Sequence, residues 1–248
     1  MLLAKVLFVP ANCFSVKRAE AFQFFPSYLL PPPSTLFGAF ARGLFLLKGF
    51  PAPQNEEYAK KMIITITARA LTPLSRTGAI IKRLRTLELR GERGETFKPR
   101  TDAMVREIIS THKIEAYYLI NEDEALKILG NDITIHIKRI LYSIDRIGDS
   151  ESLVSVQSVD LEEVDTKKPG SEVIVNTVLE DDLGEIISGN YIHTMMPYMF
   201  DRKRPKGYYI PLSIIEDRTD VYYPSEFILK PKNNALLVKL KDVSIIFR

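Results

Sequence analysis

The residues best equipped for chemistry are bases, and they are gathered rather than spread. Between Thr72 and His112 stand Arg76, Lys82, Arg83, Arg85, Arg90, Arg93, Lys98, Arg100 and Arg106, against Glu88, Glu92, Glu95, Asp102 and Glu107. The whole chain has 34 bases and 31 acids, a net charge of only +3, so this local excess is what points to phosphate neutralisation. A solvated insertion would carry charges too, but it would not explain their sign bias. A second group, Arg202, Lys203, Arg204 and Lys206, runs into Tyr208 and Tyr209. Bases beside aromatic rings suit unpaired nucleotides; a solvated loop has the same composition. A third stretch mixes Phe14, Phe22, Phe24, Phe25 and Tyr28 with Lys17, Arg18 and Glu20, which fits either base stacking or packing beneath a loop.

Other chemistries find little support. His112, His136 and His193 are far apart and none lies in an HxxxH or HExxH spacing, so no metal site is expected. No phosphate-binding loop, GxGxxG or GxSxG is present, and no cofactor is expected. General acid–base catalysis would fall to His112 with Lys113, or to His193 with Tyr191 or Tyr198; neither spacing is diagnostic, and no catalytic residue is assigned. Cys13 is the single cysteine, which fits a reducing cytoplasm. Lys5 interrupts the first apolar run and no small-residue cleavage site follows, so neither a signal peptide nor a membrane role is expected.

The elements that would position these bases begin with PPPSTLFGAFARGLFLLKG, Pro31 to Gly49. The prolines set an extended approach, Ser34 or Thr35 can cap a helix, and Gly49 can stop it. Leu36, Phe40, Leu44 and Leu47 share one face with Phe37, Ala41 and Phe45 beside them, an arc wide enough for a buried core helix. Arg42 interrupts it, either snorkelling to solvent or reaching for a phosphate. Strands are expected at Leu2 to Val9, Lys61 to Leu71, Lys113 to Ile120 and Leu153 to Val159. Asn121 with Glu124 forms a capping box, and Ile133 to Ile144 has helical spacing although ITIHI also alternates as a strand would. Within the basic insertion, GERGE marks the turn of an exposed hairpin, and TDAMVREII, Thr101 to Ile109, reads as a short capped helix.

The result is an α+β chain: a ferredoxin-like (RRM-like) βαββαβ domain over residues 1–165, with a basic thumb at 72–112. TKKPGS marks a boundary, and residues 166–248 read as a small antiparallel β subdomain with turns at Lys206–Gly207 and Asn233–Asn234.

The order PPPSTLFGAFARGL, then DAMVREII after the insertion, then RIGDSESLVSVQSVDL, resembles the CRISPR-associated Cas5 family of the repeat-associated mysterious protein superfamily, in its archaeal type I-A branch. The likeness runs from the first strand to about Val164. It implies a ferredoxin-like core, a protruding thumb and a small C-terminal β portion. It also implies a non-catalytic RNA-binding and assembly subunit of a Cascade antiviral surveillance complex. Such a subunit holds the 5′ handle of the CRISPR RNA beside the Cas7 backbone subunit and the large subunit. Arg42, Arg76, Lys82, Arg83, Arg85, Arg100, Arg106 and Lys113 are the candidate RNA contacts. The alternative is a metal-independent endoribonuclease processing precursor CRISPR RNA, as one branch does with tyrosine, lysine and histidine. The glycine-rich loop of processing relatives near the C terminus is missing, with Gly207 standing almost alone after Gly189.

Overall fold

The computed structural model describes residues 1–18, 24–90, 96–215 and 218–248. In chain order it forms strand β1 (Leu2–Pro10), the two-residue strand β2 (Phe24–Phe25), helices α1 (Pro33–Lys48) and α2 (Gln54–Met62), and strand β3 (Ile63–Ala70). Two long strands, β4 (Leu74–Arg90) and β5 (Thr96–Ser110), precede β6 (Ile114–Ile120), helices α3 (Glu122–Leu129) and α4 (Ile133–Tyr142), and β7 (Val154–Glu163). The protein is thus α+β, rich in strands.

Four strands make the central sheet in the order β3–β6–β1–β7, with every neighbouring pair antiparallel. All seven residues of β6, IEAYYLI, are buried, as a strand covered on both faces must be. Ala116, Tyr118 and Ile120 join β1's Ala4, Val6 and Phe8 in one apolar cluster with α1, α3 and α4. Tyr117, Leu119 and Leu3 point the other way, because successive side chains alternate across a sheet. They meet the last hairpin of the chain, whose Val238, Ile245 and Phe247 complete a second cluster.

Helix α1 matches its expected extent, with one difference at its start. Pro32 is the cap position and Pro33 the first helical residue, and no side chain caps the turn. Neither Ser34 nor Thr35 serves as the expected cap, since proline's fixed φ and missing N–H already suit the first helical position. The Thr35 and Leu36 N–H groups both donate to the Pro32 carbonyl, at 2.9 and 3.2 Å. Leu36, Phe40 and Leu44 are fully buried, and Gly49 ends the helix at φ 72°, its N–H donating to the Phe45 carbonyl. The Asn121 cap is also present, its side chain accepting from the Glu124 N–H at 3.2 Å.

The basic insertion is a two-stranded arm. β4 and β5 pair from Ser75↔Ser110 out to Arg90↔Thr96, with a register shift between Leu84 and Thr86 that leaves Arg85 as the extra residue of a bulge. A strand of 17 residues such as β4 spans roughly 55 Å. The expected helix over Thr101–Ile109 is instead part of β5. Its capping signal is weaker than the ladder that β4 offers, and Val105, Ile108 and Ile109 suit a pleated surface. The turn expected at GERGE lies outside the described residues.

The remaining strands are β8 (Val173–Val175), β9 (Leu179–Glu180), β10 (Gly184–Gly189), β11 (Ile192–Tyr198), β12 (Asp201–Ile210), β13 (Leu212–Ile215), β14 (Arg218–Pro224), β15 (Phe227–Pro231), β16 (Leu236–Lys239) and β17 (Ser244–Phe247). β14 pairs with the base of β4, giving a sheet in the order β13–β14–β4–β5–β2. Val178, Met196, Met199, Tyr208, Ile210, Leu212 and Tyr222 belong to the same apolar cluster as α1, so this half of the chain shares the core of the first. The turn expected at Lys206–Gly207 is not there, because both residues lie inside β12. Gly207 is glycine for close approach: a Cβ would strike the Asp181 carboxylate and crowd the His193 ring at 2.8 Å. The Asn233–Asn234 turn is found. Among the described residues, no helix is long and apolar enough to cross a membrane.

Candidate nucleic-acid interface

Prolines 31 to 33 aim the first turn of α1 into a groove of about 350 Å³. Its lining includes Lys17, Ser34, Thr35, Arg42, Arg146 and Arg202. The turn carries no acidic residue, so the positive end of the helix dipole faces the groove uncompensated. Arg202 reaches it from β12 by lying across Gly38, where a Cβ would collide with its guanidinium. The bases that the sequence allows as a loop therefore lie on a strand, and at least one of them returns to α1.

Arg42 is neither buried nor free. Both of its terminal nitrogens bond the Asp145 carboxylate, Nη2 to Oδ2 at 3.1 Å, and Arg146 Nε donates to Asp145 Oδ1 at 3.2 Å. Hydrogen bonding from Arg42, helped by Arg146, holds the Asp145 carboxyl below the ordinary aspartate range. The groove thus gathers four cationic side chains, two of which share one exposed acid.

Arg106 has a different setting. Its side chain is only 9% exposed, and its guanidinium bonds Asp149, Glu151 at 2.5 Å, and the Ser15 hydroxyl at 3.2 Å. The loop holding those acids is itself tied down: Ser152 Oγ donates to the Ser15 carbonyl at 3.1 Å and accepts from the Ser15 N–H at 2.9 Å. Two separate stretches of the sequence, DAMVREII and RIGDSES, are therefore one ion-paired knot at the base of the arm. Arg106 is expected from the sequence to contact RNA; in the structure its planar fork is turned inward on two carboxylates.

The other expected contacts are spread along the arm. Lys82 and Arg83 pair in register with Ala103 and Asp102, Arg85 sits at the bulge, and Arg100 pairs with Thr86. Arg76, at the arm's base, donates to Asp220 at 3.2 Å, lies 3.9 Å from Glu107, and stands 5.6 Å from the centre of the Tyr222 ring. Lys113 begins the return to β6, its N–H and that of exposed His112 both donating to Thr72 Oγ1, at 3.0 and 3.1 Å. Sequence reasoning passes over Arg146, although it stands inside the RIGDSES stretch. It also misses the carboxylate partners of Arg42 and Arg106, since nothing in the chain order brings Asp145 or Glu151 to them.

The histidines do not converge. His193 Nε2 is 2.9 Å from Asp181 Oδ2, with its ring 5.3 Å from that of Tyr209. Among the described residues, no three His, Cys, Asp or Glu side chains group to hold a metal ion.

The described residues thus form an α+β protein with a core sheet, a basic arm and a cationic groove at a helix start. No family model matches the sequence. The chain is 27% identical over 214 residues to "CRISPR-associated protein Cas5" of Methanocaldococcus jannaschii, covering 82% of each. Its fold matches a CRISPR protein from Archaeoglobus fulgidus with a TM-score of 0.65 at 19% identity, covering 100% of this chain and 99% of that one. A chain of the type III-B Cmr-beta complex bound to cognate target RNA and AMPPnP matches with a TM-score of 0.50 at 11% identity, covering 91% and 86%. The chain is thus similar in sequence to a Cas5 protein and shares its fold with a CRISPR protein of known structure.

Proposed function

We propose that this protein is a non-catalytic RNA-binding and assembly subunit of a type I CRISPR surveillance complex, in the archaeal type I-A branch. It holds the 5′ handle of the CRISPR RNA and contacts the Cas7 backbone and large subunits. The observation that carries the reading is the groove at the α1 N-terminus. Lys17, Arg42, Arg146 and Arg202 line it beside the positive end of the α1 dipole, an arrangement suited to phosphates. The sheet order β3–β6–β1–β7, with helices between its first and second and its third and fourth strands in sequence, supports a ferredoxin-like core. On this reading β4–β5 is the thumb, and residues 166–248 form a β portion folded against the core. Arg76, Lys82, Arg83, Arg85, Arg100 and Lys113 continue the phosphate track from Arg42, while splayed bases stack or bond by their edges.

The test is a titration of RNA bearing the host's repeat-derived 5′ handle, repeated at several salt concentrations. Replacing Arg83 and Arg85 together by alanine should weaken binding and flatten the log–log salt slope by about 1.4, or about 0.7 for each single-strand phosphate no longer neutralised. Equal affinity and slope would remove the arm from the RNA. The same RNA incubated with the protein in EDTA tests for cleavage; a specific product that disappears in His112→Ala would make the protein a ribonuclease instead.

A further inference from the structure

The arm and the α1 groove sit on different sheets, yet one surface runs between them. A depression of about 220 Å³ beside the arm is lined by Lys17, Phe25, Met104, Arg106, Asp149 and Ser150. Two of these residues, Lys17 and Asp149, also line the α1 groove. The element they share is the knot around Arg106, which projects from β5 into the loop carrying Asp149 and Glu151.

Three separate segments meet at this one guanidinium. β5 supplies Arg106, the turn after α4 supplies Asp149 and Glu151, and the segment after β1 supplies Ser15. The Asp149 N–H donates to the Ser15 carbonyl at 3.0 Å, so the loop and the segment stay joined without the arm. The base of the arm is bridged to the segment by the Phe14 and Ile109 backbones, and Arg106 is the side chain that ties the arm to the Asp149–Glu151 loop as well. Next to it in register, Phe25 of β2 pairs with Arg106 itself and takes the Lys17 ammonium 4.0 Å from its ring centre. The groove's Lys17 is therefore indexed to the arm through the same position. With its side chain buried and each of its three nitrogens already bonded to an acid or a hydroxyl, Arg106 is directed into the protein rather than out toward a phosphate.

We propose that Arg106 is a positioning residue: it fixes the arm relative to the α1 groove so that one continuous strand engages both, and it does not itself touch RNA. The proposal rests on the RNA reading for the identity of the strand, but the geometry it asserts belongs to the protein alone. In Arg106→Gln the arm keeps its backbone bridges at the base but loses its tie to the Asp149–Glu151 loop, so its angle to the groove loosens while both sets of phosphate-binding side chains stay in place. In Glu151→Gln, where the exposed partner is changed, the same effect follows in weaker form and folding is spared.

Two measurements decide it. The first compares handle-bearing RNA of about 20 nucleotides, long enough for groove and arm, with a truncated strand of about 5 that fills the groove alone. Arg106→Gln should bind the long strand about tenfold more weakly, with a salt slope shallower by roughly 2, and the short strand as the natural protein does. Equal weakening on both strands, or none on the long one, overturns the proposal. The second uses spin labels at Ile80→Cys and Leu46→Cys in a Cys13→Ser background, without RNA. The distance distribution should broaden in Arg106→Gln and, to a lesser degree, in Glu151→Gln; unchanged widths in both overturn the proposal. A natural protein that binds neither strand refutes the RNA reading, and the label distances still judge the role of Arg106.

Discussion

Two arginines, Arg69 on β3 and Arg106 on β5, are nearly alike in burial and unlike in what they hold. Their side chains are 12% and 9% exposed, and each grips a carboxylate on a neighbouring strand or loop plus a second, exposed one. Arg69 bonds Glu115 of β6 at 2.7 Å and Asp242 at 2.6 Å. The Tyr117 hydroxyl donates to the same Glu115, and burial followed by that contact pushes the phenol's titration upward. This knot lies on the face of the sheet opposite α1, because Ala68 and Ala70, its neighbours on β3, belong to the helix-side cluster. It fastens the turn between β16 and β17, far from the groove. Arg106 fastens a loop that lines the groove. The same chemical device closes the fold in one place and sets the geometry of a surface in the other.

That contrast is broken most sharply at Arg69. Arg69→Met leaves Glu115 buried without its cation and frees the Asp242 turn, a destabilisation of about 3–5 kcal/mol in chemical denaturation. Protein still folded below its lowered midpoint should bind RNA with the natural salt slope. A flattened slope would mean that the back of the sheet also shapes the RNA surface, and the distinction between the two arginines would fall.

Gly38 sharpens the comparison from the groove side. Gly38→Val displaces the Arg202 side chain from α1 but, on a partly exposed helix position, costs the fold only about 1 kcal/mol or less. RNA affinity should drop roughly threefold to tenfold, the effect of removing one cation from one phosphate, with the melting temperature shifted by only a few degrees. Unchanged affinity would show that Arg202 takes no part.

These arginines also mark how far the sequence can be read. The core helix, the central strands and the Asn121 cap are legible because each is a local periodicity or a local hydrogen bond. TDAMVREII reads as a helix and forms a strand because its partner strand begins at Leu74, and no local signal carries a register that distant. Arg106 and Arg42 stand out in the sequence as bases in apolar surroundings. Their direction is not legible, since it depends on Asp149, Glu151 and Asp145 arriving from other elements far along the chain. Lys206–Gly207 reads as a turn for a related reason: the glycine answers to Asp181 and His193, which the chain order does not place beside it.

The smallest expected effect tests whether the groove's cations serve the fold or a ligand. Asp145 is about half exposed, so its pairs with Arg42 and Arg146 contribute at most about 1 kcal/mol and are screened by salt. Its carboxyl is depressed in the folded protein, so that contribution is complete above the ordinary aspartate pKa and is lost as pH falls through the folded value. The melting temperatures of the natural protein and Asp145→Asn should therefore differ slightly at neutral pH and converge in acid. RNA affinity should move the opposite way. With the carboxylate gone, Arg42 and Arg146 no longer divide their charge between an acid and a phosphate, and binding at neutral pH should tighten by roughly threefold to tenfold. A substitution that weakens the fold while strengthening RNA binding is what a ligand-directed groove requires. If both properties fall together, Asp145 is arranging the arginines for the fold, and the phosphate track ends short of α1.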